Sequence, residues 1–98
     1  PNKMAKAQKR ADAKDAAAKL KLSNKEKYAL ETLPARMEAL IREVAALQAK
    51  MDDPGFYSRD SQAFNKTAGE LEAKSGELQA AEEQWLNLEM LREEIEIT

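Results

Sequence analysis

The side chains in this sequence that could do chemistry are almost all carboxylates and amines. The 98 residues include 18 Asp and Glu and 16 Lys and Arg, but no Cys and no His. Thiolate and imidazole catalysis, disulfides and the usual zinc ligand sets are therefore excluded. Carboxylates such as Glu82 and Glu83 would need a concave site to work as an acid–base pair, which two helices alone rarely form. We predict no catalytic, cofactor-binding or metal-binding residue, and no enzyme activity in this chain.

Binding chemistry is concentrated at the start of the chain. Residues 1–22 carry seven basic and two acidic residues, a balance of +5, whereas residues 23–98 carry nine basic and 16 acidic residues, a balance of −7. Clustered cations bind nucleic-acid phosphates by releasing counterions. A solvated spacer explains the same composition, and no aromatic residue there supports base stacking. The candidate nucleic-acid-binding residues lie in this basic arm and at the adjoining helix start: Lys3, Lys6, Lys9, Arg10, Lys14, Lys19, Lys21, Lys25, Lys27 and Arg36.

The predicted helix that carries Lys25, Lys27 and Arg36 begins at a capping box. In "SNKE" the Ser23 hydroxyl can accept from the Glu26 amide while the Glu26 carboxylate accepts from the Ser23 amide. Apolar residues then recur with alternating steps of three and four, the pattern of a coiled-coil seam. These residues are Leu30, Leu33, Met37, Leu40, Val44, Leu47 and Met51.

Pro34 interrupts this periodic run. A proline inside a helix removes one hydrogen bond, crowds the carbonyl four residues back and costs about 3 kcal/mol. We therefore predict a helix over 24–32, a break or tight turn at 32–35, and a second helix over 35–51. Thr32 is a candidate cap for the restart.

The segment "DDPGFYSRD", residues 52–60, predicts a chain reversal. Pro54 and Gly55 suit a type II turn, in which Gly takes a positive φ. Phe56 and Tyr57 follow directly, and we expect them to fold over the end of the helix pair as an apolar plug. An exposed aromatic contact for a partner is the alternative.

A second helix is predicted over 61–94, capped by Asp60 or Ser61. Its seam is predicted to contain Phe64, Ala68, Leu71, Ser75, Leu78, Ala81 or Glu82, Trp85, Leu88 and, less regularly, Ile95. The short connection requires the helices to run antiparallel. A register in which facing residue numbers sum to 115 places Trp85 opposite the predicted break, with Tyr28 beside it, and puts Glu43 and Lys74 on one flank.

The predicted fold is therefore all-α: an antiparallel two-helix coiled-coil hairpin with a proline break in its first arm and a basic N-terminal linker. The predicted division is a linker over 1–22 and a hairpin over 23–98. No apolar run reaches the length of about 18 residues that spans a bilayer, and no signal peptide opens the chain. We expect a soluble cytoplasmic chain, a monomer, that is a piece of a larger protein.

The stretch "KLSNKEKYALETLPARMEALIREVAALQAKMDDPGFY", residues 21–57, resembles the opening of the C-terminal domain of Uup-type ABC-F ATPases. The capping box, Pro34, the D-P-x-F-Y corner and Trp85 occur in the family's order. "LQAAEEQWLNLE", residues 78–89, is similar to the second helix of that domain. Asn24, where an aromatic residue is usual, and Met37, where Ile is common, depart from the pattern.

The resemblance implies an accessory domain, associated with DNA binding, of a protein that acts on ribosomes. ATP and Mg²⁺ would be bound in the cassettes of that protein, since this chain has no G-x-x-x-x-G-K-[ST] phosphate loop. The implied partners are a DNA or RNA backbone, the ribosome and the protein's own cassettes. A protein-interaction or ribosome-associated spacer with no nucleic-acid contact is the alternative function.

Overall fold

A computed structural model describes residues 21–97 as a helical hairpin. Within this part of the chain, α1 spans Asn24–Met51, a short α2 spans Phe56–Arg59 and α3 spans Ser61–Ile97. At 1.5 Å per residue, α3 is roughly 55 Å long. The all-α hairpin predicted from the sequence is confirmed.

Two ion pairs across the hairpin establish the direction and register of the long helices. Glu43 Oε2 lies 3.4 Å from Lys74 Nζ, and Arg36 Nη2 lies 3.9 Å from Glu77 Oε2. The partner of Arg36 on α3 has a higher residue number than the partner of Glu43, so the helices are antiparallel. The residue numbers of the two pairs sum to 117 and 113, which bracket the predicted 115. The predicted flank shared by Glu43 and Lys74 is therefore confirmed.

The apolar core lies between the helices and extends from the middle of the hairpin toward the end away from the turn. Leu33 and Leu40 of α1 are 5% and 3% exposed, and Ala81 and Leu88 of α3 are also buried. The Trp85 indole is half-buried against this cluster. Tyr28, predicted to pack beside Trp85, is instead 68% exposed.

On α3, the seam differs from the prediction at two layers. Thr67 is buried and Lys74 is half-buried, whereas Ser75 is exposed and Ala68 is only partly covered. A step of three from Phe64 places Thr67 in the seam, whereas the predicted seam has a step of four at this point and contains Ala68. Lys74 tolerates its position because its aliphatic stem covers the seam while its ammonium group reaches Glu43 and Glu77. The same shift places Ala81 in the core and leaves Glu82 exposed.

The predicted break at Pro34 is wrong, since α1 continues through this residue. The Pro34 ring lies on an exposed part of the helix, while Leu33 and Leu40 on either side pack against α3. Burial of these leucines offsets the lost hydrogen bond, so the helix is not interrupted at Pro34. Thr32 caps no second helix; its hydroxyl donates to the Tyr28 carbonyl at 2.9 Å.

The turn between the helices also differs from its predicted type. Gly55 has φ −91° and ψ −4°, and no glycine of the described chain has a positive φ. These angles and the bond from the Phe56 amide to the Asp53 carbonyl, at 3.2 Å, define a type I turn. Asp53 favours this geometry because its carboxylate accepts from the Gly55 amide at 3.1 Å. The predicted turn over 52–60 therefore contains α2, and Asp60 caps α3 by accepting from the Ala63 amide.

None of the helices in the described part of the chain is both long and apolar enough to cross a membrane. The predicted linker lies outside the described residues except for Lys21 and Leu22.

Candidate nucleic-acid interface

The start of α1 holds the described part of the predicted cationic surface. Both bonds of the capping box are present: the Ser23 amide donates to Glu26 Oε1 at 2.9 Å, and the Glu26 amide donates to Ser23 Oγ at 3.1 Å. These two hydrogen bonds fix the first turn of α1, which carries Lys25 and Lys27. Lys21, Lys25 and Lys27 are all exposed, and none forms an ion pair with another described residue. No carboxylate in the described part of the chain neutralises their ammonium groups.

Arg36, also predicted to contact phosphates, lies apart from this group. Its guanidinium pairs with Glu77, whose carboxylate also pairs with Lys74 at 3.6 Å. Hydrogen bonding to Glu43, together with the charges of Glu43 and Glu77, raises the pKa of Lys74 above its ordinary value. Arg36 therefore belongs to a network of ion pairs on the flank of the hairpin. This network connects α1 with α3.

The remaining predicted contacts cannot be placed on the hairpin. Lys3, Lys6, Lys9, Arg10, Lys14 and Lys19 lie outside the described residues. Lys21 follows them directly, so the chain leads from this arm into the capping box.

The net negative charge of residues 23–98 is confined to one segment. Residues 23–47 contain four basic and four acidic residues, and residues 48–66 contain three of each. Residues 67–98 contain two basic and nine acidic residues, and so carry the whole balance of −7. A polyanion is therefore repelled by α3 and not by α1 or the turn.

The turn end of the hairpin is ordered by one ion pair and three aromatic rings. Arg59 Nη2 lies 2.5 Å from Asp53 Oδ2. This bond, with the Gly55 amide, holds the pKa of Asp53 below its ordinary value. The Phe64 ring meets Phe56 and Tyr57 edge-on, with centroid distances of 5.6 and 5.2 Å. Both rings of the predicted plug thus contact Phe64, although Tyr57 stays 57% exposed.

An open groove of about 340 Å³ lies beside this turn, lined by Lys50, Asp53, Phe56, Arg59, Ala63 and Thr67. Lys50, Arg59, Ala63 and Thr67 were not among the residues predicted to bind. For Thr67, steps of three and of four from Phe64 both fit a helix, so the spacing alone does not distinguish it from Ala68. Among the described residues, no three acidic side chains converge into a group suited to a metal ion.

Comparison with known proteins places this hairpin in a family. The profile described as "ABC transporter C-terminal domain" matches residues 21–90, most of the chain, and the chain belongs to that family. The fold and the sequence therefore define a C-terminal accessory domain of an ABC protein, a non-catalytic part distinct from the ATP-binding cassette.

Within that class, the chain is similar to "ATP-binding protein Uup" of Escherichia coli (strain K12). The two are 36% identical over 72 residues, which cover 74% of this chain and 11% of that protein. The chain thus spans about a tenth of the length of the curated relative that it matches. No solved structure matches it. The predicted membership of the Uup-type C-terminal domains is confirmed.

Proposed function

We propose that this domain binds nucleic acid, with DNA as the principal ligand, as an accessory part of an ABC-F type protein. The observation that carries the proposal is the exposure of three lysines, Lys21, Lys25 and Lys27, at and just before the start of α1. None of the three is neutralised by a described carboxylate. These lysines continue the positive charge of a basic arm, residues 1–22, that we assign as a linker joined to a coiled-coil hairpin over residues 23–98.

The charge distribution supports binding by one end of the hairpin only. The arm and the first turns of α1 attract phosphates, whereas the acidic part of α3 repels them. Each lysine that neutralises a phosphate adds about 0.9 to the slope of log affinity against log salt concentration. Binding should therefore be steeply salt-dependent and show little base preference, because phosphate contacts carry no sequence information.

The test is a salt titration of fluorescence anisotropy with labelled duplex DNA. The variant Lys25→Gln/Lys27→Gln should weaken binding and lower the magnitude of the salt slope by about 2. The matched control Arg42→Gln/Lys66→Gln removes the same charge from exposed positions elsewhere on the hairpin and should retain the slope. Equal slopes for both double variants would contradict the proposed surface.

Removal of residues 1–22 tests the arm itself. We expect most of the affinity for duplex DNA to disappear, with the far-UV circular dichroism of the hairpin retained. Undiminished binding by the shortened chain would exclude the arm as the main contact. The same titration with structured RNA compares the two nucleic acids.

The alternative is a protein-interaction or ribosome-associated spacer module, for which the cassettes of the same protein are one candidate partner. The specific observation in its favour is the exposure of Tyr28, Leu86 and Met90, large apolar side chains on the outside of the hairpin. Leu86→Ser/Met90→Ser should leave duplex DNA binding unchanged if phosphates are the ligand. Loss of ribosome association in that variant, with the DNA titration unchanged, would favour the alternative.

The remaining assignments follow from the family. We propose that the hairpin acts as a monomer in the cytoplasm, that it has no membrane partner, and that ATP and Mg²⁺ would be bound by the cassettes of the full protein. Sedimentation velocity of the 98-residue chain tests the monomer.

A further inference from the structure

We propose that the groove at the hairpin turn binds one nucleotide unit, that is, one phosphate together with the sugar and base linked to it. This inference deepens the proposed function by adding a second contact, at the opposite end of α1 from Lys25 and Lys27. It rests on the lining of the groove, on the Thr67 hydroxyl group, which has no hydrogen-bond partner among the described residues, and on a lining lysine that forms no described ion pair.

The hydroxyl group belongs to Thr67. This residue is 8% exposed and lines the groove. Its hydroxyl forms no hydrogen bond with any described residue, yet no fully buried oxygen in the described chain lacks a partner. The Thr67 oxygen must therefore reach solvent, and we infer that it does so through the groove. A hydroxyl in this position can donate to a phosphate oxygen or accept from a base N–H.

The net charge of the groove suits a ligand with a single negative charge. Arg59 is neutralised by Asp53, whose carboxylate oxygens are occupied by the guanidinium and by the Gly55 amide. Lys50 is exposed and forms no ion pair with any described residue. The lining therefore presents one free positive charge, which matches one phosphodiester.

Size and wall chemistry favour a nucleotide over an acidic protein side chain. The groove holds about 340 Å³, within the range of small-molecule sites, roughly 300–1,000 Å³. An Asp or Glu side chain would leave most of that space to water. Phe56 and Ala63 supply an apolar wall, and aromatic side chains take bases of any sequence by stacking. An unpaired base fits this requirement, because a base within a duplex has its faces covered by its neighbours.

The first experiment measures binding of a labelled single-stranded oligonucleotide to the 98-residue chain. Lys50→Gln should weaken binding about tenfold, since hydrogen bonds to charged groups are among the stronger ones. Arg42→Gln, the matched control, removes an exposed cation from the same helix outside the groove and should change affinity by no more than about twofold. Equal losses in both variants would overturn the proposal.

Thr67→Val separates binding from structure. The substitution keeps the branched shape and removes a hydroxyl that has no partner in the free protein, so the thermal midpoint should stay the same or rise. Affinity for the single strand should nevertheless fall about fivefold. Unchanged affinity with a retained fold would overturn the role of the groove.

Two further arms identify the source of the nucleotide and separate this inference from the proposed function. Titration with adenosine monophosphate, followed by amide NMR shifts, should perturb Phe56, Ala63 and Thr67 if a free nucleotide enters. Shifts at these residues only with the oligonucleotide identify a strand as the source, and no shifts with either ligand would overturn the proposal. If the groove variants bind normally while Lys25→Gln/Lys27→Gln fails, the arm surface stands and the groove is refuted. The reverse result would support the groove and contradict the arm.

Discussion

The two ends of the hairpin are stabilised by different interactions. Away from the turn, Leu33 and Leu40 pack against Ala81 and Leu88, and the buried surface is apolar. Near the turn, the buried residue is Thr67, and the chain is ordered by edge-on rings and by the Asp53–Arg59 pair. The same two-helix geometry thus forms a closed apolar seam at one end and an open, partly polar groove at the other. The groove beside the turn, proposed as a nucleotide site, therefore lies where apolar packing is weakest.

The largest effect is expected from the apolar end. Leu40→Ala should lower the free energy of unfolding by about 3 kcal/mol, because it removes a nearly fully buried side chain and leaves a cavity. Urea denaturation followed by circular dichroism measures this. Ile41→Ala is the control one position along, where the side chain is 51% exposed, and should cost less than about 1 kcal/mol. Similar costs for the two variants would mean that the seam lies elsewhere on α1.

At the turn end, Phe64→Ala should cost about 2 kcal/mol. The ring is half-buried and both aromatic contacts of the turn depend on it. Tyr57→Ala removes only one, largely exposed partner and should cost less. A loss for Phe64→Ala as large as that for Leu40→Ala would remove the proposed difference between the ends.

Replacement of Pro34 tests the continuity of α1. Pro34→Ala should raise the free energy of unfolding by between about 1 and 2 kcal/mol, since it restores a helical hydrogen bond and removes a ring clash. The gain is smaller than the full proline cost because alanine also gives the unfolded chain more freedom. Thermal unfolding measures the shift, and a lower midpoint would indicate that the chain bends at this residue.

The smallest effect is the pH dependence of the turn. The folded-state pKa of Asp53 lies below its unfolded value, so its contribution is present above about pH 4 and lost as the pH falls through the folded value. Asp53→Asn should therefore flatten the dependence of the thermal midpoint on pH in that acidic window. Glu38→Gln, an exposed site on α1, is the control. An acid transition of the same size in Asp53→Asn as in the unmodified chain would contradict the role of the pair.

The fold could be predicted because its signals are local and agree with one another. The capping box at Ser23, the heptad steps through Leu40 and the reversal near Pro54 require no knowledge of distant contacts. The prediction at Pro34 was wrong because the energetic cost of a proline inside a helix was not weighed against the packing of Leu33. The predicted type II turn was wrong because glycine permits a positive φ without requiring it. The Asp53 side chain stabilises the type I turn instead.

The candidate site could be predicted only in part. Lysines next to a capping box can be recognised in a sequence, because the start of a helix does not depend on the partner helix or on the register between the two helices. Thr67 could not, because steps of three and four from Phe64 are both compatible with a helix, and only the contact with α1 decides between Thr67 and Ala68. The pairing of Arg36 with Glu77 likewise depends on register.

The register has a kinetic consequence. The ion-paired residues Glu43 and Lys74, nearer the turn, are 31 positions apart in the chain, whereas Arg36 and Glu77, farther from it, are 41 apart. Closing the short loop loses less chain entropy, so association should start at the reversal and proceed outward like a zipper. The firmest packing would then form last, so Phe64→Ala should slow refolding in stopped-flow experiments while Leu40→Ala mainly accelerates unfolding.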